Sequence, residues 1–255
     1  MITRQACLTV ALLGAFVGRP AAQPVSGLYV GAGIGANLQD PIMPSSLGSR
    51  IITLPGPVGV AAVGWRFGNG LRLELEGSYR GNEVDRVKTR RGNGQLMNLT
   101  DVAGRVGTAA VMINALYEPD LRRFGITLRP YVGGGIGVGW RGYDGIAGDA
   151  PTILRLPDVT VIGPARSSRI GTYSHLAYQA IGGVAYPLPF LRGLELTAEY
   201  RYLGMDSVKY RTITQSSGGF TINGAVPRGQ SFAHADIRNH SILLGLRYSF
   251  GPLRL

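Results

Sequence analysis

Hydrophobic and polar side chains alternate along several stretches of the chain with a period of two residues. Leu71–Tyr79 reads Leu-Arg-Leu-Glu-Leu-Glu-Gly-Ser-Tyr, so its leucines fall on one face and Arg72, Glu74 and Glu76 on the other. Successive side chains of a strand point to opposite faces, so the pattern predicts a β-strand. A similar stretch occurs at Leu194–Tyr202. Either a soluble sandwich buries these leucines, or a membrane barrel turns them towards lipid and encloses the charges.

Eight alternating segments predict an all-β fold with eight antiparallel strands. Each segment is near the length of roughly 9–11 residues that a tilted strand needs to cross a bilayer. No amphipathic helical period of useful length lies between them. The segments are Gly27–Ala36, Val58–Phe67, Leu71–Arg80, Val106–Tyr117, Ile126–Trp140, His175–Tyr186, Leu194–Gly204 and Asn239–Phe250.

The connections between these segments alternate between short and long. The short ones are Gly68–Gly70, Glu118–Gly125 and Pro187–Gly193, and the long ones are Asn37–Pro57, Gly81–Arg105, Arg141–Ser174 and Met205–Arg238. Loops this long are uncommon in compact soluble domains. Short turns at one end and long loops at the other are typical of an outer-membrane barrel, whose short turns are periplasmic. A soluble Greek-key sandwich would not explain this asymmetry.

The first residues of the chain resemble a secretory signal. Arg4 precedes the apolar run Ala6–Val17, and small residues follow up to Ala22. This arrangement predicts a signal peptide over residues 1–22 and an outer-membrane barrel domain over residues 23–255. The apolar run is too short to span a membrane as a helix.

Composition narrows the chemistry of the exported chain. The only cysteine, Cys7, lies in the predicted signal, which excludes cysteine metal sites and cysteine nucleophiles from the mature chain. The net charge is +11, and loss of Arg4 and Arg19 with the signal would lower it to +9. A basic exported surface suits the phosphates of lipid head groups.

The densest basic run is Arg86-Val87-Lys88-Thr89-Arg90-Arg91 in a predicted loop. Its charges either form an ordinary solvated surface or pair with phosphates of the outer-leaflet glycolipid, lipopolysaccharide. No aromatic residue interleaves with the run to stack on bases, so we expect no nucleic-acid partner.

Four short motifs connect the chain to a known family. They are Pro130–Val138, Ala177–Ala180, Glu199–Tyr202 and Gly245–Phe250. In order and spacing they resemble the small OmpA-like or opacity-type family of porin-like outer-membrane β-barrels, and the resemblance covers essentially the whole mature chain. It implies an eight-stranded up-and-down transmembrane barrel in the outer membrane of a Gram-negative bacterium, with long extracellular loops and short periplasmic turns.

The resemblance also implies partners and a role. Family members commonly end on an aromatic residue recognised by the barrel-assembly machinery, and Phe250 matches this position, although Gly251–Leu255 departs from the pattern. A structural role, or contact of the loops with a host or neighbouring-cell surface, follows from the resemblance. The alternatives are a narrow passive pore for small solutes and an outer-membrane lipid-modifying enzyme.

An eight-stranded barrel is only wide enough for side chains to fill its interior. Segments three and seven would stand on opposite walls with long charged side chains, while glycines on segments one and five leave room for them. Buried charges are costly unless they are paired, so we expect a lumen closed by ion pairs, with a continuous file of water as the alternative. The predicted network contains Arg72, Glu74, Glu76, Arg80, Glu195, Glu199, Arg201 and Arg247, and Arg66 and Arg129 lie nearer the periplasmic mouth with Arg72 and Arg247.

Other candidate chemistry is weak. Gly31–Ala36 matches a dinucleotide-binding fingerprint, but no helix follows to bind a pyrophosphate. His234, Asp236 and His240 lack a metal-binding signature. His240 and Ser241 are adjacent on a strand, so their side chains point to opposite faces and cannot form a catalytic pair. We therefore expect no cofactor, no metal and no catalytic site.

Overall fold

The computed structural model describes residues 27–43, 50–90, 96–98, 100–121, 124–156, 159–167, 170–216 and 228–250. The predicted signal peptide, residues 1–22, lies outside these ranges. No helix within them is long and apolar enough to cross a membrane.

The described residues form eleven strands in antiparallel pairings. In chain order they are β1 (Gly27–Gln39), β2 (Arg50–Thr53), β3 (Gly56–Arg66), β4 (Leu71–Arg90), β5 (Leu96–Asn98), β6 (Thr100–Tyr117), β7 (Arg129–Leu156), β8 (Val159–Ser167), β9 (Ile170–Pro187), β10 (Leu194–Ser216) and β11 (Arg228–Ser249).

Eight of these strands close into a barrel. The ring runs β1–β3–β4–β6–β7–β9–β10–β11 and returns to β1, so each barrel strand has a hydrogen-bonded neighbour on both sides. The short strands β2 and β5 pair with β4, and β8 pairs with β7 and β10. The prediction of an eight-stranded up-and-down barrel is confirmed.

The outer face of the barrel is apolar, as a lipid-facing surface requires. Leu75 pairs with Ile113, and Ile113 pairs with Ile136, so three large aliphatic side chains lie side by side at one level. All three are exposed, and 62% of Ile113 is accessible. The leucines of Leu71–Tyr79 point out of the barrel, and the charges between them point in.

Short turns form one end of the barrel, the end that is predicted to be periplasmic. Gly68 and Gly70 adopt φ values of 86° and 89°, a left-handed region that favours glycine, and Asn69 accepts a hydrogen bond from the Leu71 backbone at 3.0 Å. This tight turn agrees with the predicted Gly68–Gly70 connection.

The strands at the other end run further than predicted. The expected loops Gly81–Arg105, Arg141–Ser174 and Met205–Arg238 are largely strand, because β4, β7, β10 and β11 extend through them. For example, Val208 to Gln215 pair with Ala235 to Arg228. Outside the membrane there is no lipid face to select apolar residues, so the hydrophobic alternation fades while backbone pairing continues.

The lipid-facing assignment predicts a depth-dependent cost for a buried charge. Ile113→Arg places a guanidinium near the bilayer midplane and should destabilise the barrel by about 2–4 kcal/mol. Leu128→Arg, at the periplasmic end before β7, is the matched control and should cost about 0–1 kcal/mol. Urea unfolding of the protein in lipid vesicles measures both. Equal costs for the two variants would contradict the assignment, as would a wild-type protein soluble without detergent.

Candidate functional site in the barrel interior

The alternation that turns leucines outward brings a row of polar side chains from β4 into the lumen. Arg72, Glu74, Glu76, Ser78 and Arg80 are all buried. The other strands contribute their own inward positions, so the lumen is lined by side chains from the whole ring. Their arrangement changes from charged to apolar between the periplasmic and extracellular ends.

Four arginines surround two glutamates at the periplasmic end, and we call this group the periplasmic cluster. Glu118 accepts hydrogen bonds from Arg72 at 2.8 Å and from Arg247 at 2.9 Å. Glu195 accepts from Arg247 at 2.6 Å, from Arg129 at 2.5 Å and from Arg66 at 3.3 Å. Each carboxylate therefore neutralises several guanidinium groups at once. The members are Arg66, Arg72, Glu118, Arg129, Glu195 and Arg247.

Two tyrosine rings lie between this cluster and the middle of the barrel. The Arg72 guanidinium carbon lies 4.6 Å from the ring centroid of Tyr131 and 5.5 Å from that of Tyr29, within the range of cation–π attraction. The Tyr29 hydroxyl donates to Glu74 at 2.6 Å, and the Tyr131 hydroxyl donates to Glu199 at 2.5 Å. The rings thus connect the periplasmic cluster to the carboxylates in the middle of the barrel.

Glycines make room for these rings on the neighbouring strands. A Cβ at Gly64 would collide with the Tyr29 ring, and a Cβ at Gly183 would lie 2.7 Å from the ring of Tyr131. Inward glycines at these two positions of β3 and β9 therefore provide space for a large side chain on a neighbouring strand.

Arg201 organises a second group, the central cluster, in the middle of the barrel. Its guanidinium forms ion pairs with Glu76 and, at 2.6 Å, with Glu199. Glu76 also accepts hydrogen bonds from Asn114 at 2.7 Å and from Gln179 at 3.1 Å. These contacts span β4, β6, β9 and β10, so they tie opposite walls of the barrel together.

Arg80 differs from its predicted role in an ion-pair network. It is fully buried, yet within the described residues it has no carboxylate within 4.0 Å. Its guanidinium donates instead to Ser78 at 2.9 Å and to Ser241 at 3.3 Å. Ser241 in turn donates to Asn37 at 2.8 Å, which places Arg80 in a layer of neutral polar groups. Arg80 therefore lies in the lumen without a direct ion pair among the described residues, because the hydroxyl groups of Ser78 and Ser241 lie closer to its guanidinium than any described carboxylate.

An apolar cluster fills part of the lumen towards the extracellular end, beside buried polar side chains such as Asn37, Asn82 and Arg141, and we call this group the apolar plug. Ile42 forms a β-bridge with Ile51, and Ile51 packs against this cluster. Its buried members come from many segments of the chain and pack as one cluster. They are Ile42, Val84, Val87, Val106, Ala110, Met112, Ala177, Leu203, Met205, Ala235 and Ile237.

A small polar cavity of about 30 Å³ lies between the two charged clusters. Glu74, Glu199, Arg201 and Arg247 contribute to its lining. This volume accommodates one or two water molecules, since one water needs roughly 10–15 Å³ of such space. It does not amount to a channel.

Sequence reasoning missed several interior residues. Glu118 was assigned to a short connection, but it continues the inward alternation of Asn114 and Leu116 by one step. Extending that alternation to the end of the segment would have found it. Tyr29 and Tyr131 occupy inward positions beside glycines, and the same period of two identifies them.

Of the remaining predicted residues, Arg86 and Phe250 lie outside the lumen. Arg86 is exposed and pairs with Asp85 at 2.9 Å. Phe250 packs edge-on against Tyr248, with ring centroids 5.1 Å apart, and its backbone donates to Leu28 at 3.0 Å. Arg90 lies on β4 without a described side chain, Lys88 lies on the same strand, and Arg91 lies outside the described residues.

The weak metal and catalytic candidates do not come together. His240 contacts the Tyr200 hydroxyl at 2.7 Å and lies 3.7 Å from Asp40, on the outer face. Ser241 points into the lumen. Within the described residues no three histidine, aspartate, glutamate or cysteine side chains are placed to hold a metal, and the side chain of His234 is outside that description.

Comparison with known proteins agrees with this architecture. The family model for the outer membrane protein beta-barrel domain matches residues 7–250. The chain belongs to this family. It is therefore an integral barrel of the outer membrane of a Gram-negative bacterium, as the localisation prediction states.

The relatives of this outer-membrane barrel include proteins of similar fold. It is 36% identical to an "Outer membrane protein" of Gluconacetobacter diazotrophicus over 272 residues, covering 98% of this chain and 64% of that relative's length. The outer membrane protein OprG from Pseudomonas aeruginosa matches 90% of this chain and 100% of its own with 13% identity and a TM-score of 0.51. Neisserial surface protein A matches 89% of this chain and 99% of its own with 15% identity and a TM-score of 0.48. The likeness to OprG supports the fold alone.

The central cluster of this outer-membrane barrel gives a stability prediction. Arg201→Met leaves Glu76 and Glu199 buried without their guanidinium partner, which should cost about 3–5 kcal/mol. Adding Glu76→Gln to Arg201→Met removes one of the stranded charges and should recover part of that loss. Urea unfolding in lipid vesicles provides the measurement.

The matched control is Arg105→Gln. Arg105 and Glu83 form an ion pair at 3.4 Å in which both side chains are 65% exposed, so its loss should cost no more than about 1 kcal/mol. If Arg201→Met had the same free energy of unfolding as this control, the central cluster would not stabilise the barrel.

Proposed function

We propose that this barrel is a closed structural and surface-interaction protein of the outer membrane, without a conducting lumen. The observation that carries the proposal is the double obstruction of the lumen, by the charged clusters and by the apolar plug. Such a protein supports the envelope through its membrane-embedded body and presents its extracellular strands to neighbouring molecules.

The two obstructions act by different physics. The charged clusters fill the narrow interior with paired side chains, and opening them would separate buried ions from their partners. The apolar plug offers no hydrogen bonds to water, and hydrophobic constrictions exclude water by dewetting. Ions would have to overcome both barriers in series.

The partners that we propose lie at the surface. The basic stretch containing Arg86, Lys88, Arg90 and Arg91 contacts phosphates of lipopolysaccharide, and the membrane lipids cover the apolar outer face. Phe250 serves recognition by the barrel-assembly machinery. A host or neighbouring-cell surface ligand for the extracellular strands follows from the family resemblance.

We also propose that the protein has no catalytic activity. A lipid hydrolase would need a serine in contact with a histidine base. The geometry supports the non-enzymatic assignment, because Ser241 points into the lumen towards Asn37 and Arg80, whereas His240 lies outside beside Tyr200. A lipid-modifying enzyme would change the lipid mass profile of cells that express it.

A narrow passive pore is the second candidate. The cavity whose lining includes Glu74, Glu199, Arg201 and Arg247 favours it, since it leaves water-sized space among charged side chains. The apolar plug favours the closed barrel instead, because none of its members lines the cavity.

Planar-bilayer recording separates the two candidates. Purified protein should insert without a steady conductance, and liposomes containing it should not swell in small sugars, because both lumen obstructions exclude water. A general porin in the same bilayers is the positive control, and heat-dependent mobility on a denaturing gel confirms that the test protein is folded. A steady, reproducible conductance from folded protein would overturn the closed-barrel proposal.

A further inference from the structure

Three donor-bearing side chains line up across the extracellular extension of the barrel. Arg50 on β2 lies directly opposite Lys88 on β4, and Lys88 lies directly opposite Asn98 on β5. Directly opposed residues of antiparallel strands share a face, with Cβ atoms about 4.5–5.5 Å apart. The register therefore builds one continuous row, the Arg50–Lys88–Asn98 row, from three segments that are separate in the sequence.

This row faces away from the barrel axis. Val87 is buried in the apolar plug, so its neighbours Arg86 and Lys88 point to the opposite side of β4. Arg50 and Asn98 are exposed beside Lys88. The side chains of the row therefore point away from the barrel, towards the molecules that surround it.

The height of the row places it above the hydrocarbon of the membrane. Tyr79 is the last large apolar side chain on the outer face of β4, and Glu83 is the first outward charge beyond it. Lys88 is five residues past Glu83, or roughly 16 Å further along the strand at about 3.3 Å per residue, which is about 12 Å along the membrane normal for a strand tilted by about 40°. This is the level of a glycolipid's saccharide rather than of its acyl chains.

Among the described residues, neither cation of the row forms an ion pair with a carboxylate. Among the described side chains, the nearby acids have other partners, because Asp85 pairs with Arg86 at 2.9 Å and Glu83 pairs with Arg105 at 3.4 Å. Like charges directly opposite each other destabilise a sheet. A bound anion between them would convert this repulsion into attraction.

We propose that the Arg50–Lys88–Asn98 row binds a phosphate group on the saccharide of the outer-leaflet glycolipid. The proposal deepens the lipopolysaccharide contact proposed above and does not depend on whether the lumen is closed. A guanidinium fork, an ammonium and an amide N–H₂ are all donors, which suits the acceptor oxygens of a phosphate. Arg50 and Asn98 join the site through strand register, and neither belongs to the basic run seen in the sequence.

The test uses the purified, folded full-length chain in detergent. Its probes are a rough-type lipopolysaccharide with a phosphorylated core, the same material after chemical removal of its phosphates, and lipid A alone. Binding to the phosphorylated core should be about tenfold or more tighter than to the dephosphorylated core or to lipid A alone. Arg50→Gln with Lys88→Gln should reduce it by about the same factor, whereas Arg50→Lys with Lys88→Arg should retain most of it.

Two further variants distinguish a binding role from a structural one. Asn98→Asp gives Lys88 a carboxylate neighbour, so the barrel should keep its unboiled gel mobility while binding to the phosphorylated core falls. Arg105→Gln removes a nearby exposed cation outside the row and should leave binding unchanged.

Three results would overturn the proposal. One is equal affinity of the double Gln variant and wild type for the phosphorylated core. Another is full competition by millimolar inorganic phosphate alone, which would make the ligand free phosphate rather than the glycolipid. A third is tight binding to lipid A alone, which would place the contact at the membrane surface. None of these results affects the conductance test, so failure of this site is distinguishable from failure of the closed-barrel proposal.

Discussion

Everything in this structure depends on closure of the sheet between its first and last strands. In hydrocarbon no water can satisfy exposed backbone groups, so a membrane sheet must have no open edge. Here β1 pairs with β11 over an unbroken register from Tyr29–Ser249 to Gln39–Asn239. Closure at eight strands fixes a narrow circumference, and the alternation of each strand then assigns every side chain either to lipid or to a lumen that has room only for side chains.

The narrow lumen explains how charges are distributed inside it. Among the described residues, carboxylates gather where guanidinium groups can surround them, as Glu118 and Glu195 do at the periplasmic end. Nearer the extracellular end, Arg80 donates to two serines, and the hydrogen bonds of Arg141 include those to Thr108 and Gln39. Further along the axis, buried apolar side chains such as Val84 and Ile237 lie beside buried polar ones such as Asn82 and Asn239. Charged side chains therefore become fewer towards the extracellular end of the lumen. There the apolar plug fills space without adding charges that would need partners.

Sequence patterns predicted those features that a single strand determines. The outward leucines and inward charges of Leu71–Tyr79 follow from a period of two, and so does the opposition of His240 and Ser241. Features that require the pairing of distant strands were not predictable in this way. Arg80 meets Ser241 across 161 positions of sequence, and no local pattern indicates that contact. The apolar plug was missed because apolar side chains such as Met112 and Leu203 face inward, where the alternation rule for a membrane barrel expects polar ones.

Burial in the lumen and exposure on the outer extension explain why we place a ligand on the extension and none in the lumen. Inside the barrel, burial makes an unpaired charge costly, so Arg201 is held by two glutamates and Arg80 by hydroxyl groups. On the extension, Arg50 and Lys88 are reached by water, so the fold tolerates two adjacent cations with no acid between them. Because these two side chains are exposed to water, they need no partner within the protein, and their N–H groups can donate to a bound ligand. Barrel closure determines both the filled lumen and the position of the outer row. The register that pairs β4 with its neighbours in the ring also sets the height of Lys88 on the extension of β4 and the direction in which its side chain points.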